Sequence, residues 1–369
     1  MKYIHISYLT LLSLCFFNCS DVKKTDKEYF NGEINIVDRD SIKKDSLIAE
    51  EIKLEEAYAG RMYVHDSLAF FVSSQYSDHC IYSYDIASES LLGKYCEIGQ
   101  GPDEVINISS TIQPRIINGE LCYWLYSFND RETRCWNVEK SLKEGKTCYD
   151  SIVSIRPNSD MFNFVYVFML DDYKYLAKGS DPLLLEENKF IPEYRIIDTK
   201  KPKDSIESIK IYKRGIREEI DDINQTSFYL TSMDRIRPNN NNKVAMVMYY
   251  LAQVNILNIE TGKSKAVRLK GTPSFNYLEG DINDLITFYI SATVTDDHIY
   301  ALYSNLRRED ESIENKDHAF DEVHVFDWEG NLVRILKLDN EIDQITVDPV
   351  NNVLYGMAGR DERIFRFEL

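Results

Sequence analysis

Strand–turn–strand segments recur along this chain four strands at a time, and this repetition restricts the possible folds more than any other feature. Three hairpins, at 81–98, 254–269 and 323–338, alternate apolar and polar residues around a short turn. Each is followed by a polar connection and then by another apolar strand. Four-stranded units that follow one another without helices predict a β-propeller, an all-β fold in which radial closure leaves only short sheet edges.

The number of blades and the closure of the ring follow from the strand count. Six sets of strands lie between residues 46 and 369, at about 54 residues per blade, although seven blades of about 46 residues also fit the length. The last set has three strands, at 345–349, 353–358 and 363–369. We therefore expect the segment 46–58 to pair beside 363–369 as the missing fourth strand and to close a six-bladed propeller domain over residues 46–369.

The N-terminus has the layout of a secretory signal. A lysine at position 2 is followed by an apolar run over 8–17, which is shorter than the roughly 20 residues of a membrane span. Cys19 then stands as in a bacterial lipobox, in which the thiol is acylated, although Asn18 occupies a position that the strict motif gives to a small residue. We predict a signal peptide at 1–18, lipid attachment at Cys19 and a polar tether over 19–45. An ordinary secreted protein cut near this point is the alternative.

The charge of the chain limits its partners. With 61 acidic against 43 basic residues, the formal net charge is -18. Nucleic acid is bound through basic patches that release counterions, so a nucleic-acid partner is not expected. Anionic lipid is equally unfavourable as a docking surface, and we expect contact with a membrane only through the N-terminal lipid anchor.

The segment 99–104, with the sequence GQGPDE, could be either a phosphate-binding loop or a turn between strands. A P-loop requires a Gly-Lys-Ser/Thr ending, and the dinucleotide fingerprint requires a third glycine at the start of a helix. Here Pro102 removes a backbone N–H, and Asp103 and Glu104 would repel phosphate. The segment is therefore interpreted as a connection from the outer strand of one blade to the inner strand of the next.

Three features of the chain resemble a known family. They are the lipobox-like start, the element G-x-G-P-x-E at 99–104 and the pattern V-x-V-F-D-x-x-G-N at 323–331. Together they are similar to the TolB-like, NHL-like six-bladed propeller lipoproteins of Gram-negative anaerobes. The resemblance implies a six-bladed fold and a location in the cell envelope, and we expect an outer-membrane lipoprotein that faces the periplasm or the cell surface. It implies no agreed activity and no catalytic residues.

Motifs for catalysis and metal binding are weak. The six histidines include no H-x-x-x-H pair with a glutamate, and the chain has no G-x-S-x-G nucleophile elbow. Paired carboxylates suited to glycosidase or lyase chemistry arise by chance among so many acidic residues. We therefore predict no catalytic residue, no metal site and no cofactor.

Five cysteines follow the leader, and their spacing suggests disulfides. Cys80 and Cys96 are symmetric about the turn of the first hairpin, and Cys122, Cys135 and Cys148 could lie in one row across three neighbouring strands. Directly opposed strand residues lie within disulfide range. In an oxidising envelope we predict a Cys80–Cys96 bridge and one bridge within the second row. The alternative is that all five are small buried apolar side chains.

Function is expected at the axial face, where loops are carried on a rigid scaffold. The outer-to-inner connections there include the candidate ligand-binding residues Asp103, Glu104, Arg217 and Tyr277. The leading hypothesis is a lipid-anchored, non-enzymatic propeller of the cell envelope that binds a protein, peptide or glycan through this face. The alternative is an envelope hydrolase or lyase that uses carboxylates at the central funnel.

Overall fold

The computed structural model is all-β, and its strands form six sheets within the described part of the chain. The described residues are 28–54, 60–155, 163–180, 193–201, 207–213, 231–275, 284–307, 320–359 and 363–369. Three short strands precede the first complete sheet: β1 (Glu33–Val37), β2 (Lys44–Leu47) and β3 (Glu50–Ile52).

The first three blades each consist of four consecutive antiparallel strands. Alternating apolar residues, many of them β-branched or aromatic, favour strands at these positions. Blade 1 contains β4 (Arg61–His65), β5 (Leu68–Val72), β6 (His79–Asp85) and β7 (Ser90–Glu97); blade 2 contains β8 (Gln113–Ile117), β9 (Glu120–Ser127), β10 (Glu132–Asn137) and β11 (Tyr149–Ser154); blade 3 contains β12 (Asn163–Met169), β13 (Lys174–Ser180), β14 (Glu193–Asp198) and β15 (Glu207–Lys210).

The last three blades also receive strands from the N-terminal segment. Blade 4 contains β16 (Ser232–Ile236), β17 (Lys243–Met248), β18 (Gln253–Asn258) and β19 (Ser264–Leu269); blade 5 contains β20 (Ile286–Val294), β21 (His298–Arg307), β22 (Glu322–Asp327) and β23 (Leu332–Leu338); blade 6 contains β24 (Gln344–Asp348), β25 (Val353–Ala358) and β26 (Arg363–Glu368), with β3 as its fourth strand. The six-bladed propeller is thus confirmed, and the three hairpins recognised in the sequence are β6–β7, β18–β19 and β22–β23.

The ring closes where the sequence predicted. Strand β3 pairs antiparallel with β26, with Ile52 opposite Ile364 and Glu50 opposite Arg366. Because one blade takes its strands from both ends of the described chain, the first and last segments hold each other in place. This closure removes the open edges that a linear array of sheets would leave.

The predicted tether boundary at residue 45 is too late. Strand β1 pairs parallel with β19 at the edge of blade 4, and β2 pairs parallel with β23 at the edge of blade 5. We call residues 28–52 the N-terminal strap, because they run along the outer edges of blades 4, 5 and 6. The sequence did not reveal the strap, because its strands are only 3 to 5 residues long and their partners lie more than 200 residues away.

The strap is fixed by one buried ring and several ion pairs. Phe30 is fully buried among residues of blades 3 and 4. Along the strap, carboxylates and guanidinium groups alternate as partners: Glu28 Oε2 with Arg268 Nη2 at 2.8 Å, Arg39 Nη2 with Glu322 Oε1 at 2.5 Å, and Asp45 Oδ2 with Arg334 Nε at 2.9 Å. Apolar burial and charge pairing therefore both attach the segment to the propeller.

The core is distributed between blades rather than gathered in one place. Each of six hydrophobic clusters joins two neighbouring blades. Between blades 1 and 2, Phe70 packs edge-on against Tyr123 and Trp136, with ring centroids 5.4 and 5.5 Å apart. Most of the aromatic side chains on the strands thus serve blade-to-blade packing.

Polar contacts near the axis accompany this packing at every seam of the ring. The contacts, in order around the ring, are Tyr63 Oη to Ser110 O at 2.7 Å, Gln113 Nε2 to Met169 O at 2.8 Å, Lys178 Nζ to Asp234 Oδ1 at 3.1 Å, Arg235 Nε to Ala292 O at 3.0 Å, Ile345 N to Ser291 Oγ at 3.1 Å, and Met62 N to Gln344 Oε1 at 2.7 Å. Since these bonds are directional, they set the relative positions of the inner strands more closely than apolar contacts alone.

One α-helix interrupts the described blades. Helix α1 (Val138–Glu144) lies between β10 and β11 of blade 2. Asn137 caps its N-terminus by accepting a hydrogen bond from Lys140 N, and Gly145 ends it in the left-handed conformation with φ of 66°. Trp136 Nε1 donates to Ser141 Oγ at 2.9 Å, which holds the helix against the blade.

Candidate ligand-binding site

The first strands of the blades surround the axis of the ring and enclose a cavity. Strands β4, β8, β16, β20 and β24 supply most of its wall, and β12 contributes Phe168. The cavity volume is about 90 Å³, which is room for several water molecules or for one small charged group. A cavity of this size accepts a side group of a ligand rather than a whole macromolecule.

Much of the cavity wall is apolar, as is usual for ligand pockets. The apolar lining residues include Ile112, Ile236, Val294 and Val347. Tyr63 also lines the cavity, but its hydroxyl is already engaged: it donates to Ser110 O and accepts from Ile112 N at 3.2 Å. Burial raises the pKa of Tyr63 above its ordinary value, so this hydroxyl stays protonated at neutral pH.

Two half-buried arginines contribute positive charge to the wall. Arg61 begins β4, and Arg115 lies in the middle of β8. Within the described residues, neither guanidinium has a carboxylate within ion-pair distance. In a chain with a net charge of -18, these cations are thus left available to a ligand.

Arg235 of β16 is a buried residue of the wall whose side chain is held by hydrogen bonds. Its side chain is 7% exposed, its Nε donates to Ala292 O at 3.0 Å, and its Nη1 donates to Asp234 O at 2.7 Å. Its Nη2 is buried and has no hydrogen-bond partner among the described residues. Leaving a buried donor unpaired costs about 1–3 kcal/mol, so a ligand acceptor that pairs with this atom would make the free energy of binding more favourable.

The carboxylates near the cavity are occupied by protein groups. Asp234 is fully buried and pairs with Lys178 Nζ. Both oxygens of Asp348 accept hydrogen bonds, including those from the backbone N–H groups of Asp66 and Ser67 at 3.0 and 3.2 Å. Asp296, a half-buried residue of the wall, accepts from the backbone N–H of Asn239 at 2.9 Å.

The GQGPDE segment forms a closed turn away from this cavity. It joins β7 of blade 1 to β8 of blade 2, as predicted. Glu104 Oε2 accepts a hydrogen bond from Gly101 N at 2.7 Å, and a Cβ on Gly99 would lie 1.9 Å from the same oxygen. The two glycines thus leave room for the carboxylate of Glu104, which holds its own turn together. Asp103 is exposed, and neither acidic residue lines the cavity.

Comparison with known proteins places the chain in a family. The family model described as TolB-like 6-blade propeller-like matches residues 39–349. The chain belongs to the TolB-like six-bladed propeller family. The resemblance drawn from the G-x-G-P-x-E element and the late blade pattern is thereby confirmed. No curated protein matches the chain.

Solved structures show the same fold at low sequence identity. A protein described as exported, from Bacteroides fragilis, aligns over 91% of this chain and 97% of its own, with 15% identity and a TM-score of 0.50. A member of the DUF4221 family from Bacteroides vulgatus aligns over 88% of this chain and 96% of its own, with 12% identity and a TM-score of 0.52. Chaetomium thermophilum Raptor aligns at a TM-score of 0.47 and 11% identity over 87% of this chain, which spans 28% of that protein.

Two of the predicted ligand-binding residues of this TolB-like propeller, Arg217 and Tyr277, lie outside the described residues, as does Cys19. Within the described part, no helix is long and apolar enough to cross a membrane. No three His, Cys, Asp or Glu side chains in that same part are grouped so as to hold a metal ion.

The arginines of the cavity wall were not among the residues predicted from the sequence. Functional residues were expected in the long connections, whereas Arg61, Arg115 and Arg235 lie within inner strands. A signal was present, since each is an arginine within a short strand that also carries apolar residues. That pattern also fits an ordinary strand with one solvated face, and only the closed ring shows that these three strands meet.

The register of the strands tests the predicted cysteine rows. His79 lies opposite Glu97 and Ile81 opposite Tyr95, which places Cys80 opposite Cys96 as predicted. Both side chains are buried thiols in the structure, so the bridge between them stays a prediction that free-thiol counting on the denatured, unreduced chain would check.

The predicted register of the second cysteine row is wrong. Cys122 lies opposite Asn137 and Cys135 opposite Trp124, so these two cysteines are offset by two residues. Cys148 precedes β11, while Cys135 lies opposite Ser151. The prediction failed because it centred the β9–β10 turn one residue too early and did not anticipate α1 between β10 and β11. All three are thiols in the structure. Because the side chains of Cys122 and Cys135 still lie within hydrogen-bonding reach of each other, a bridge within this row stays a prediction.

Proposed function

We propose that this TolB-like propeller is a non-enzymatic binding module of the cell envelope, which holds a protein, peptide or glycan at its axial face with one group of the ligand inserted into the central cavity. The observation that carries the proposal is Arg235, a buried arginine in the cavity wall with an unpartnered Nη2. Buried polar groups in proteins are nearly always paired, so an unpaired one beside a cavity suggests a site that a ligand completes.

The ring offers a rigid frame for such a site. Each seam has its own hydrophobic cluster and its own polar contact near the axis, and the ends of the chain share blade 6. Groups held on strands keep their positions better than groups on loops, so the cavity is largely formed before a ligand arrives. Ligand binding therefore costs the protein little conformational entropy.

An envelope location is part of the proposal. It draws on the signal-like leader, with Cys19 as the lipid attachment site, and on the fold neighbour described as exported. Palmitate labelling of the full chain in a Gram-negative host should disappear in Cys19→Ala and persist in Cys15→Ala, the matched control within the leader. Label retained in Cys19→Ala would contradict lipid attachment at that residue.

The hydrolase or lyase alternative requires free carboxylates at the funnel. Asp234 is paired with Lys178, and Asp348 is bonded to backbone N–H groups. These contacts make Asp234 and Asp348 poor candidates for a general acid or base, and they favour binding over turnover as the role of the cavity.

The binding role can be tested by filling the cavity. Ile116 lines it and is 43% exposed, whereas Ile152 lies on the outer strand of the same blade and is 45% exposed. Because both side chains are accessible, Ile116→Trp and Ile152→Trp should both fold. We expect peptide and glycan panels screened with the full chain to yield ligands whose binding is lost in Ile116→Trp and kept in Ile152→Trp.

Two outcomes would contradict the proposal. Ligands bound equally well by both variants would show that recognition does not use the cavity. Chemical turnover of a panel member, abolished in Ile116→Trp, would favour the hydrolase or lyase alternative.

A further inference from the structure

We propose that the group entering the central cavity is an oxyanion, a carboxylate or a phosphate carried by a larger ligand, held by Arg235 together with Arg61 and Arg115. The inference rests on the proposed function, since it names the chemistry of the group that the cavity receives.

Arginines elsewhere in the described chain commonly have a carboxylate partner. Such pairs join arginines to acidic residues on the strap and on the third strands of the blades: Arg39 with Glu322, Arg134 with Glu132, Arg195 with Glu193, Arg268 with Glu28, Arg334 with Asp45, and Arg366 with Glu368. The three arginines of the cavity wall have no such partner among the described residues. An acidic chain that leaves its cavity arginines unpaired provides a local attraction for anions.

Arg235 has the geometry of a held donor. Two backbone carbonyls, from Asp234 and Ala292, accept from Nη1 and Nε and thereby fix the plane of the guanidinium. Its remaining amino group, Nη2, is left without a partner. Carboxylate and phosphate oxygens are the acceptors that best match a fixed guanidinium.

The surroundings strengthen this preference. Ile236, Val294 and Val347 line the cavity beside the arginines and keep the effective dielectric constant low. A buried guanidinium without a counterion is unfavourable in such surroundings, whereas one paired with an anion is not. The volume of about 90 Å³ accommodates an oxyanion group but leaves the rest of the ligand outside, at the axial face.

The experiment titrates the full chain with sodium phosphate and, separately, with sodium succinate, at constant ionic strength, by isothermal titration calorimetry. Arg61→Gln and Arg115→Gln are the principal variants, since both side chains are only half buried. Arg131→Gln is the matched control, because it removes the same charge from an exposed turn outside the cavity. We expect saturable binding of at least one anion, weakened at least tenfold in each principal variant and unchanged in the control.

Arg235→Gln is a second-line variant, because its buried carbonyl contacts also join blades 4 and 5. Where its circular dichroism matches the parent chain, we expect the largest loss of affinity of the three. The two titrations distinguish a phosphate from a carboxylate as the bound group. The affinity for phosphate should rise with pH through about 7 as the dianion forms, whereas the affinity for succinate should stay constant above about pH 6.

Absence of saturable binding for both anions, or equal affinity in Arg61→Gln, Arg115→Gln and Arg131→Gln, would overturn the inference. The outcome is separable from that of the proposed function. If panel ligands depend on Ile116 but the chain binds neither anion, the proposed function is supported and the oxyanion inference is contradicted. Anion binding that depends on the arginines, together with panel ligands whose binding is unchanged in Ile116→Trp, would support the oxyanion site and contradict the proposed function.

Discussion

At the residue scale, the G-x-G-P-x-E element is explained by a single carboxylate. Glu104 Oε2 accepts from Gly101 N and occupies the space where a side chain on Gly99 would begin. The two glycines and the glutamate therefore form one unit. This unit is structural: it holds its own turn together and does not line the cavity.

This contact predicts a specific mutational pattern. Gly99→Ala forces the Glu104 carboxylate away, and Glu104→Ala removes the acceptor for Gly101 N, so each change should lower the free energy of unfolding by about 1–3 kcal/mol. Because both disrupt the same contact, the double variant should lose clearly less than the sum of the two. Urea denaturation measures all three, with exposed Asp103→Ala expected to stay within about 0.5 kcal/mol. Simple additivity would show that the turn does not depend on this carboxylate.

At the scale of elements, the N-terminal strap differs from the blades that it covers. Its strands add to the edges of blades 4 and 5 in parallel and complete blade 6 in antiparallel fashion. The outer strands β7, β11 and β15 of the other three blades receive no such addition among the described residues. The strap thus protects one half of the ring from edge-to-edge association.

The attachment of the strap should depend on its buried ring. Phe30 is fully buried, so Phe30→Ala should cost about 3–5 kcal/mol locally, the range of large-to-small core changes. Hydrogen exchange followed by mass spectrometry should then show loss of amide protection over 33–37 and 44–47 while β17 and β18 stay protected. Ile36→Ala, on the same strap at 54% exposure, is the control and should leave protection unchanged. Unaltered protection in Phe30→Ala would mean that the ion pairs alone hold the strap.

Elements determined by local patterns were predictable from the sequence, and elements determined by distant contacts were not. Hairpins such as β18–β19 and β22–β23 were predictable, because local alternation and turn residues determine them. The closing strand β3 was predictable from an unfilled position in the last blade. Strands β1 and β2, and the convergence of Arg61, Arg115 and Arg235, were not, since they depend on contacts between segments far apart in the chain.

At the scale of the whole molecule, ring closure depends on the seam between blades 6 and 1. Asp348 lies there, with no exposed surface, and its carboxylate accepts from the N–H groups of Asp66 and Ser67. Burial raises the pKa of this carboxyl, but the hydrogen bonds from Asn351 and the backbone outweigh burial, and the pKa lies below its ordinary value. The ionised form is therefore favoured by folding.

A carboxyl with a lowered pKa in the folded state stabilises the protein above its unfolded pKa of about 3.9, and this contribution is lost as the pH falls through the folded value. Asp348→Asn should lower the free energy of unfolding at pH 7 by about 2–3 kcal/mol, because the amide presents a donor to N–H groups that need an acceptor. It should also make the decline below about pH 4 shallower. Urea denaturation at pH 7 and at several values below 4.5 measures both, and a variant whose acid decline parallels that of the parent chain would contradict this role.

The arginines of the cavity come from blades 1, 2 and 4, whereas β20 and β24 face it with uncharged residues such as Thr293 and Thr346. A ring of six similar blades thus encloses a space without rotational symmetry. An anionic group bound by the arginines therefore has one preferred orientation about the axis. This orientation sets the direction in which the rest of the ligand extends from the cavity. The propeller would then discriminate between two ligands that have the same charged end but branch differently, because their outer parts would extend from the cavity in different directions.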